Sequence, residues 1–263
     1  MSTRTWQRKP LLADPMLRYG LLVGGLAYLV AAIWSVEIDV ARLQEGLPRG
    51  MQFLAGFLPP DFTTRSDEIV AGVLESIWMA MVSTAVGILV SVPIALGASS
   101  NIAPRPVYLL CRGLVAVARS FQAVILAVLF VALFGFGPFA GFMTLVVTTV
   151  GFFAKLLAEE IEEISTRPAE AIESVGASGP QWLVWAVWPQ ITPRFVGLSL
   201  YRLDINFRES SIVGIVGGGG IGATLTTAFD RYEFDSAAAI LLVIIAIVLF
   251  VEWTSGLIRQ RVQ

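Results

Sequence analysis

The chain contains no histidine and a single cysteine, Cys111. Ser–His and Cys–His nucleophile pairs are therefore excluded, because neither has its base. An intramolecular disulfide is impossible, and a His- or Cys-based metal site lacks its ligands. Charge is scarce too. Asp, Glu, Lys and Arg make up 14% of the residues, against roughly a quarter in an ordinary soluble domain. The net charge of −2 gives no basic footprint for a nucleic acid. Apolar residues fill the space left by charge: 56% of the 263 residues are hydrophobic and the mean hydropathy is +0.76. Several apolar runs approach twenty residues, the length that spans a bilayer as a helix.

Residues 1–12 are polar and basic, with Arg4, Arg8 and Lys9, and residues 17–36 form the first apolar run. Its length, and the lack of a small-x-small cleavage site after it, predict an uncleaved membrane helix rather than a signal peptide. Residues 37–68 are too broken by charge to span and read as an extracytoplasmic loop with an interfacial helix. Residues 69–96 form a second span, opened by Asp67 and Glu68, which suit a helix N-terminus. A third span covers 108–134. The Gly-Phe-Gly-Pro turn at 135–138 precedes a fourth at 139–157, whose helix should continue through the acidic 159–163. A fifth span covers 195–216, the segment 217–222 reads GGGGIG, 224–236 is short and polar, and 237–257 is the sixth span. The expectation is an all-α integral membrane protein of about six transmembrane helices, with residues 1–68 set apart from a core at 69–260.

Basic residues in short loops set orientation. With the N-terminus inside, the inner segments hold Arg4, Arg8, Lys9, Arg105, Arg167, Arg194, Arg259 and Arg261, and the outer ones Arg42, Arg49, Arg65 and Arg231. Both termini are therefore expected in the cytoplasm, together with residues 159–193. That connection is several times the usual four to six residues and carries its own helix signals. Thr166 can cap a helix, Pro168 and Glu170 suit its first turns, and Gly176 ends it. Ser178 and Gln181 have capping-box spacing for a second short helix carrying Trp182, Trp185 and Trp188. Tryptophan favours the interface, so this piece is expected along the inner leaflet until Pro189 turns the chain back. The small residues Ala169, Ala171, Gly176 and Ala177 would let another protein approach closely.

Glu170-Ala171-Ile172, then Gly176, then Trp188-Pro189, resembles the EAA motif of ABC importer permeases. Residues 135–141, 155–162 and 214–222, and Tyr201-Arg202 followed by Asn206-Phe207-Arg208, resemble the phosphonate branch of that family. Phe121-Gln122 stands where that branch tends to have Pro-Glu. The resemblance implies a type I ABC importer permease fold, working as a homodimer in a bacterial plasma membrane. It implies two cytosolic ATPase subunits that carry ATP and Mg, so that this chain binds no cofactor and is not itself catalytic, and an extracytoplasmic substrate-binding protein. The ATPase would dock on a coupling helix at about 166–188, through Glu170, Ala171, Ile172, Ser174, Gly176 and Ala177. The implied cargo is a phosphonate- or phosphate-type oxyanion. Methionine-importer permeases share a similar Gly-rich segment, so a methionine-like solute is the alternative.

Charges inside apolar spans are costly and face protein or water. Arg112 and Arg119 are seven apart and share a helical face, with Gln122 one turn further on. Arg202, Asp204, Arg208 and Glu209 cluster in the fifth span, where Asp204 and Arg208 can pair. Arg119, Gln122, Arg202, Arg208 and Glu209 are candidates for a cationic path or gate, with Gly217, Gly219 and Gly220 as a flexible or re-entrant gate segment. Lys155 and Glu159 read as a structural pair. The Gly-x-Gly-x-x-Gly spacing of Gly217, Gly219 and Gly222 is no nucleotide fingerprint, because a membrane span rather than a strand precedes it. An ion-coupled secondary transporter is the rival class; such carriers use inverted repeats and broken helices, and the sequence displays neither.

Overall fold

The computed structural model describes residues 14–35 and 40–262. Arg4, Arg8 and Lys9 lie outside the described residues, as do the side chains of Arg259 and Arg261. The chain divides into two compact units, residues 1–55 and 56–263. The first holds α1 (Pro15–Ser35) and α2 (Val40–Ala55). The 21 residues of α1 rise about 31 Å, enough to cross a hydrocarbon core. α2 tolerates Pro48 inside it and carries an exposed Glu45–Arg49 pair at 3.5 Å.

The second unit starts earlier than the residue 69 expected. The segment after Ala55 is tied into it: Phe57 stacks on Phe234 at 5.8 Å, Asp61 N donates to Asp235 O, and Arg65 pairs with Glu233. Its centre is α3 (Ser66–Gly97), which packs against α4 (Arg105–Ser120), α6 (Pro138–Glu162), α9 (Trp188–Ile215) and α10 (Gly220–Asp230). The remaining elements are α5 (Ala123–Phe134), α7 (Thr166–Ser174), α8 (Gly179–Trp182) and α11 (Phe234–Val262). No strand occurs among the described residues.

In lipid, apolar side chains gain little by leaving their surroundings for one another, so helices associate by close approach of small residues. The α3 seam shows this. Gly87 faces Thr149 of α6, Gly72 faces Ile221 and Thr224 of α10, and Gly97 faces Cys111 of α4. Buried hydroxyls return their hydrogens to the preceding turn: Ser83 to Met79 O, Ser91 to Gly87 O, Thr144 to Ala140 O. Apolar clusters lie along the bundle, with Ile69, Ile221, Leu225 and Ile240 at the Ser66 end and Phe153, Leu157, Ile161, Val187 and Ile191 at the Gly97 end.

Among the described residues, five helical stretches are long and apolar enough to cross a membrane. The expected third span is broken: α4 and α5 meet at 91° across Phe121 and Gln122, and count as a sixth span only as a bent pair. The fifth span is longer than expected. Its polar sequel at 224–236 is largely the helix α10. Broken helices are thus present although the sequence suggested none.

Candidate functional site

Two regions carry the residues singled out by sequence. The first is the α6–α9 connection. α7 ends as expected at Gly176, whose φ of +79° is the left-handed conformation that glycine adopts freely. The space around Gly176 is open, with nothing of the chain within 4 Å of where a Cβ would sit. Its start differs. The cap position is Ser165, not Thr166, and no side chain caps it. Instead Gln190 reaches back from α9, accepting from Ser165 N at 2.9 Å and donating to Ala186 O at 2.7 Å. Only Ala169 of α7 is buried; Glu170, Ala171, Ser174 and Gly176 are exposed, Ile172 and Ala177 half-buried.

The capping box forms, with Ser178 N donating to Gln181 Oε1 at 2.8 Å. Pro189 does not turn the chain. α8 leads through a π-helical turn (Leu183–Val187) directly into α9, with helical dihedrals at Leu183, Val187 and Trp188. A proline inside a continuous helical run removes a donor and crowds the carbonyl a turn back. A π turn is a place where a helix absorbs such a mismatch without ending. The three tryptophans therefore ride one helical run, Trp185 and Trp188 exposed and Trp182 half-buried. An apolar cavity of about 130 Å³ lies beside the turn, lined by residues such as Val92, Leu157, Val184 and Val187.

The acidic end of α6 anchors this region. Glu162 accepts from Arg112 of α4 at 2.8 Å and from Ser100 N at 2.7 Å; Glu160 pairs with Arg194 of α9 at 2.7 Å; Glu159 pairs with Lys155 at 3.5 Å. Arg112 also donates to Ala98 O at 2.9 Å. Sequence spacing foresaw only the Lys155 pair, because the other partners lie on different helices.

The second region is the polar interior of α9. Arg202 is buried, donating to Thr149 Oγ1 (3.0 Å), Thr148 Oγ1 (2.7 Å) and Glu209 (3.1 Å), with its guanidinium over the Phe152 ring. Asn206 bridges Thr84 and Thr149 at 2.7 and 2.9 Å. Arg208 donates through Nη2 to Asp204 at 3.0 Å, with Asp204 11% and Arg208 55% exposed. Arg119 is exposed on α4 and makes no hydrogen bond or ion pair among the described residues; its stem lies near Gly151 of α6. Gln122 does not continue the Arg112–Arg119 face, because α4 has ended; it is the N-cap position of α5.

The Gly-rich segment is packed rather than free. Gly218, Gly219 and Gly220 are buried, and Gly217, Gly219 and Gly220 have positive φ. Gly217 O accepts from Gly137 N at 2.9 Å, and Ser76 Oγ accepts from Ile221 N at 2.9 Å. A Cβ on Gly219 would lie 2.8 Å from a Glu75 carboxylate oxygen and from Pro138 N. Ser76 is ten residues into α3, about 15 Å along its axis. Glu75, a carboxylate within an apolar helix, was legible as an anomaly but was missed.

Residues 87–263 match the family model described as binding-protein-dependent transport system inner membrane component. The chain is 37% identical over 232 residues to the phosphite transport system permease protein PtxC of Stutzerimonas stutzeri, covering 88% of this chain and 84% of that one. It is 39% identical over 254 residues to the phosphate-import permease protein PhnE of Mycolicibacterium smegmatis; that match covers 95% of this chain but 47% of the longer relative. Among solved structures, an inward-facing MetNI methionine ABC transporter shares the fold at a TM-score of 0.67 and 23% identity, over 76% of this chain and 99% of that one. With an all-helical, multi-pass architecture and relatives that are transport permeases, this chain belongs to the binding-protein-dependent transport system inner membrane components, the permeases of ABC importers.

Proposed function

We propose that this permease carries phosphorus oxyanions, such as phosphate, phosphite or a phosphonate, and works as a homodimer. Two cytosolic ATPase subunits dock on α7, and a binding protein delivers cargo from outside. ATP and Mg reside on the ATPase, both chain termini face the cytoplasm, and the membrane is the bacterial plasma membrane. The carrying observation is Arg208. It stands in a stripe of α9, with Tyr201, Ile212 and Ile215, that this chain leaves exposed. A cation is costly against lipid and useful on a water-filled path, where it lowers the barrier for an anion. The exposed face of α7 supports the docking: Ala169 is its one buried residue, which leaves most of the helix surface available to a partner.

The test is ATPase stimulation and uptake in proteoliposomes holding the permease, its ATPase and its binding protein. The panel is phosphate, phosphite, methylphosphonate, sulfate and methionine. Stimulation by the phosphorus oxyanions is expected; stimulation by methionine alone would replace the substrate assignment. Uptake that persists without the ATPase would replace the ATP-driven mechanism with ion-coupled transport.

A further inference from the structure

We infer that Asp204 is a built-in stand-in for the cargo: it occupies Arg208 between transport events and returns as the anion leaves. The inference rests on the oxyanion reading of Arg208 above. The two arginines of α9 are held differently. Arg202 is buried and uses Nε and Nη2 on Thr149, Thr148 and Glu209. Its Nε and Nη2 donors are committed, and its side chain is 4% exposed. Arg208 makes a single hydrogen bond among the described residues, from Nη2 to Asp204 Oδ2. A guanidinium has five N–H donors in a planar fork, so most of its donors remain available on its exposed side.

A phosphoryl group presents several oxygens to that fork and can take two parallel hydrogen bonds. A one-point carboxylate contact is the weaker competitor, so the oxyanion displaces it. Asp204 cannot follow the solvent out. It is mostly buried, and a carboxylate left there without a partner is unfavourable. That penalty drives it back onto Arg208, which releases the anion towards the next step. A path site must bind well enough to be entered and weakly enough to be left, and the competing carboxylate supplies the second half of that requirement.

Asp204 is thus a positioning residue acting through Arg208. The test uses proteoliposomes with the full complex and inorganic phosphate or phosphite as probe, with rates expressed per assembled complex. First, Arg208→Gln should abolish uptake while the complex still co-purifies; normal uptake would remove Arg208 from the path, and the oxyanion reading of it with that. Second, Asp204→Asn should slow release, so kcat and KM should fall together by about two- to fivefold with kcat/KM little changed. Asp204→Glu should restore most of the parent values. A fall in kcat with KM unchanged or raised, or values equal to the parent, would overturn the role of Asp204 while leaving that of Arg208 standing.

Discussion

Gly141 shows how little room a single residue has here. A Cβ added to it would run into Gly218 O and come 2.5 Å from Met79 Sδ. Carbonyl backbone cannot move aside as a flexible side chain can. Gly141→Ala should therefore cost about 1–3 kcal/mol, read as a lowered Tm of the purified permease. Gly113 is the control: its Cβ position is open, it lies within α4, and Gly113→Ala should be neutral or stabilise by about 0.5–1 kcal/mol. At the other end of α3, Arg65 is buried between Glu233 (2.6 Å) and Glu68 (2.7 Å). The hydrogen bond from Arg65 holds Glu233 below its ordinary 4.5. A carboxylate with a depressed folded-state value stabilises above its unfolded value and loses that contribution as pH falls through the folded one. The Tm difference between the parent and Arg65→Gln should therefore be steady from neutrality down to about pH 4.5 and narrow below it.

At the scale of elements, α7 is latched to α9 by Gln190 and joined to it through a π turn. Gln190→Leu removes the latch without touching the exposed face of α7. Uptake per ATP hydrolysed should fall severalfold while the ATPase still co-purifies; an unchanged ratio would show that the latch carries no force. Deleting Val184 should convert the π turn to α-helix and rotate everything before it by about 100° relative to α9, preserving helicity by circular dichroism and abolishing coupled uptake. The ends of α7 and α8 were legible because their signals are local: Gly176 needs its left-handed turn, and Ser178 and Gln181 satisfy each other. The passage of the helix through Pro189 was not, since proline reads as a break unless the backbone strain is absorbed nearby. Nor was the 91° bend, because Phe121 and Gln122 are not breakers. That corner is imposed by what α4 and α5 pack against: Val115 joins Phe153 and Leu157, while Ala127 joins Met79 and Leu145.

At the scale of the whole molecule, apolar length alone made the membrane architecture legible, and charge scarcity removed the soluble alternatives. The polar pairs were legible only where both partners share a helix, as with Asp204–Arg208 and Lys155–Glu159. Arg112–Glu162 and Arg194–Glu160 join residues far apart in sequence, and no spacing rule reports them. The single native cysteine makes the docking reading testable in one experiment. Val175 is 78% exposed just past the end of α7. In a Cys111→Ser background, Val175→Cys should be cross-linked to the ATPase subunit by a short thiol–amine reagent, and Gly20→Cys on α1 should not.

The apolar cavity beside Val184 and Val187 gives the run from α7 to α9 a loosely packed section. Atoms lining a gap have fewer neighbours to push against, so small displacements of α7 are taken up there as local compression before they move α9. A rod with one compliant joint acts as a mechanical filter. On the docking reading proposed above, such a joint would damp small movements of a partner bound to α7 and pass on the larger ones.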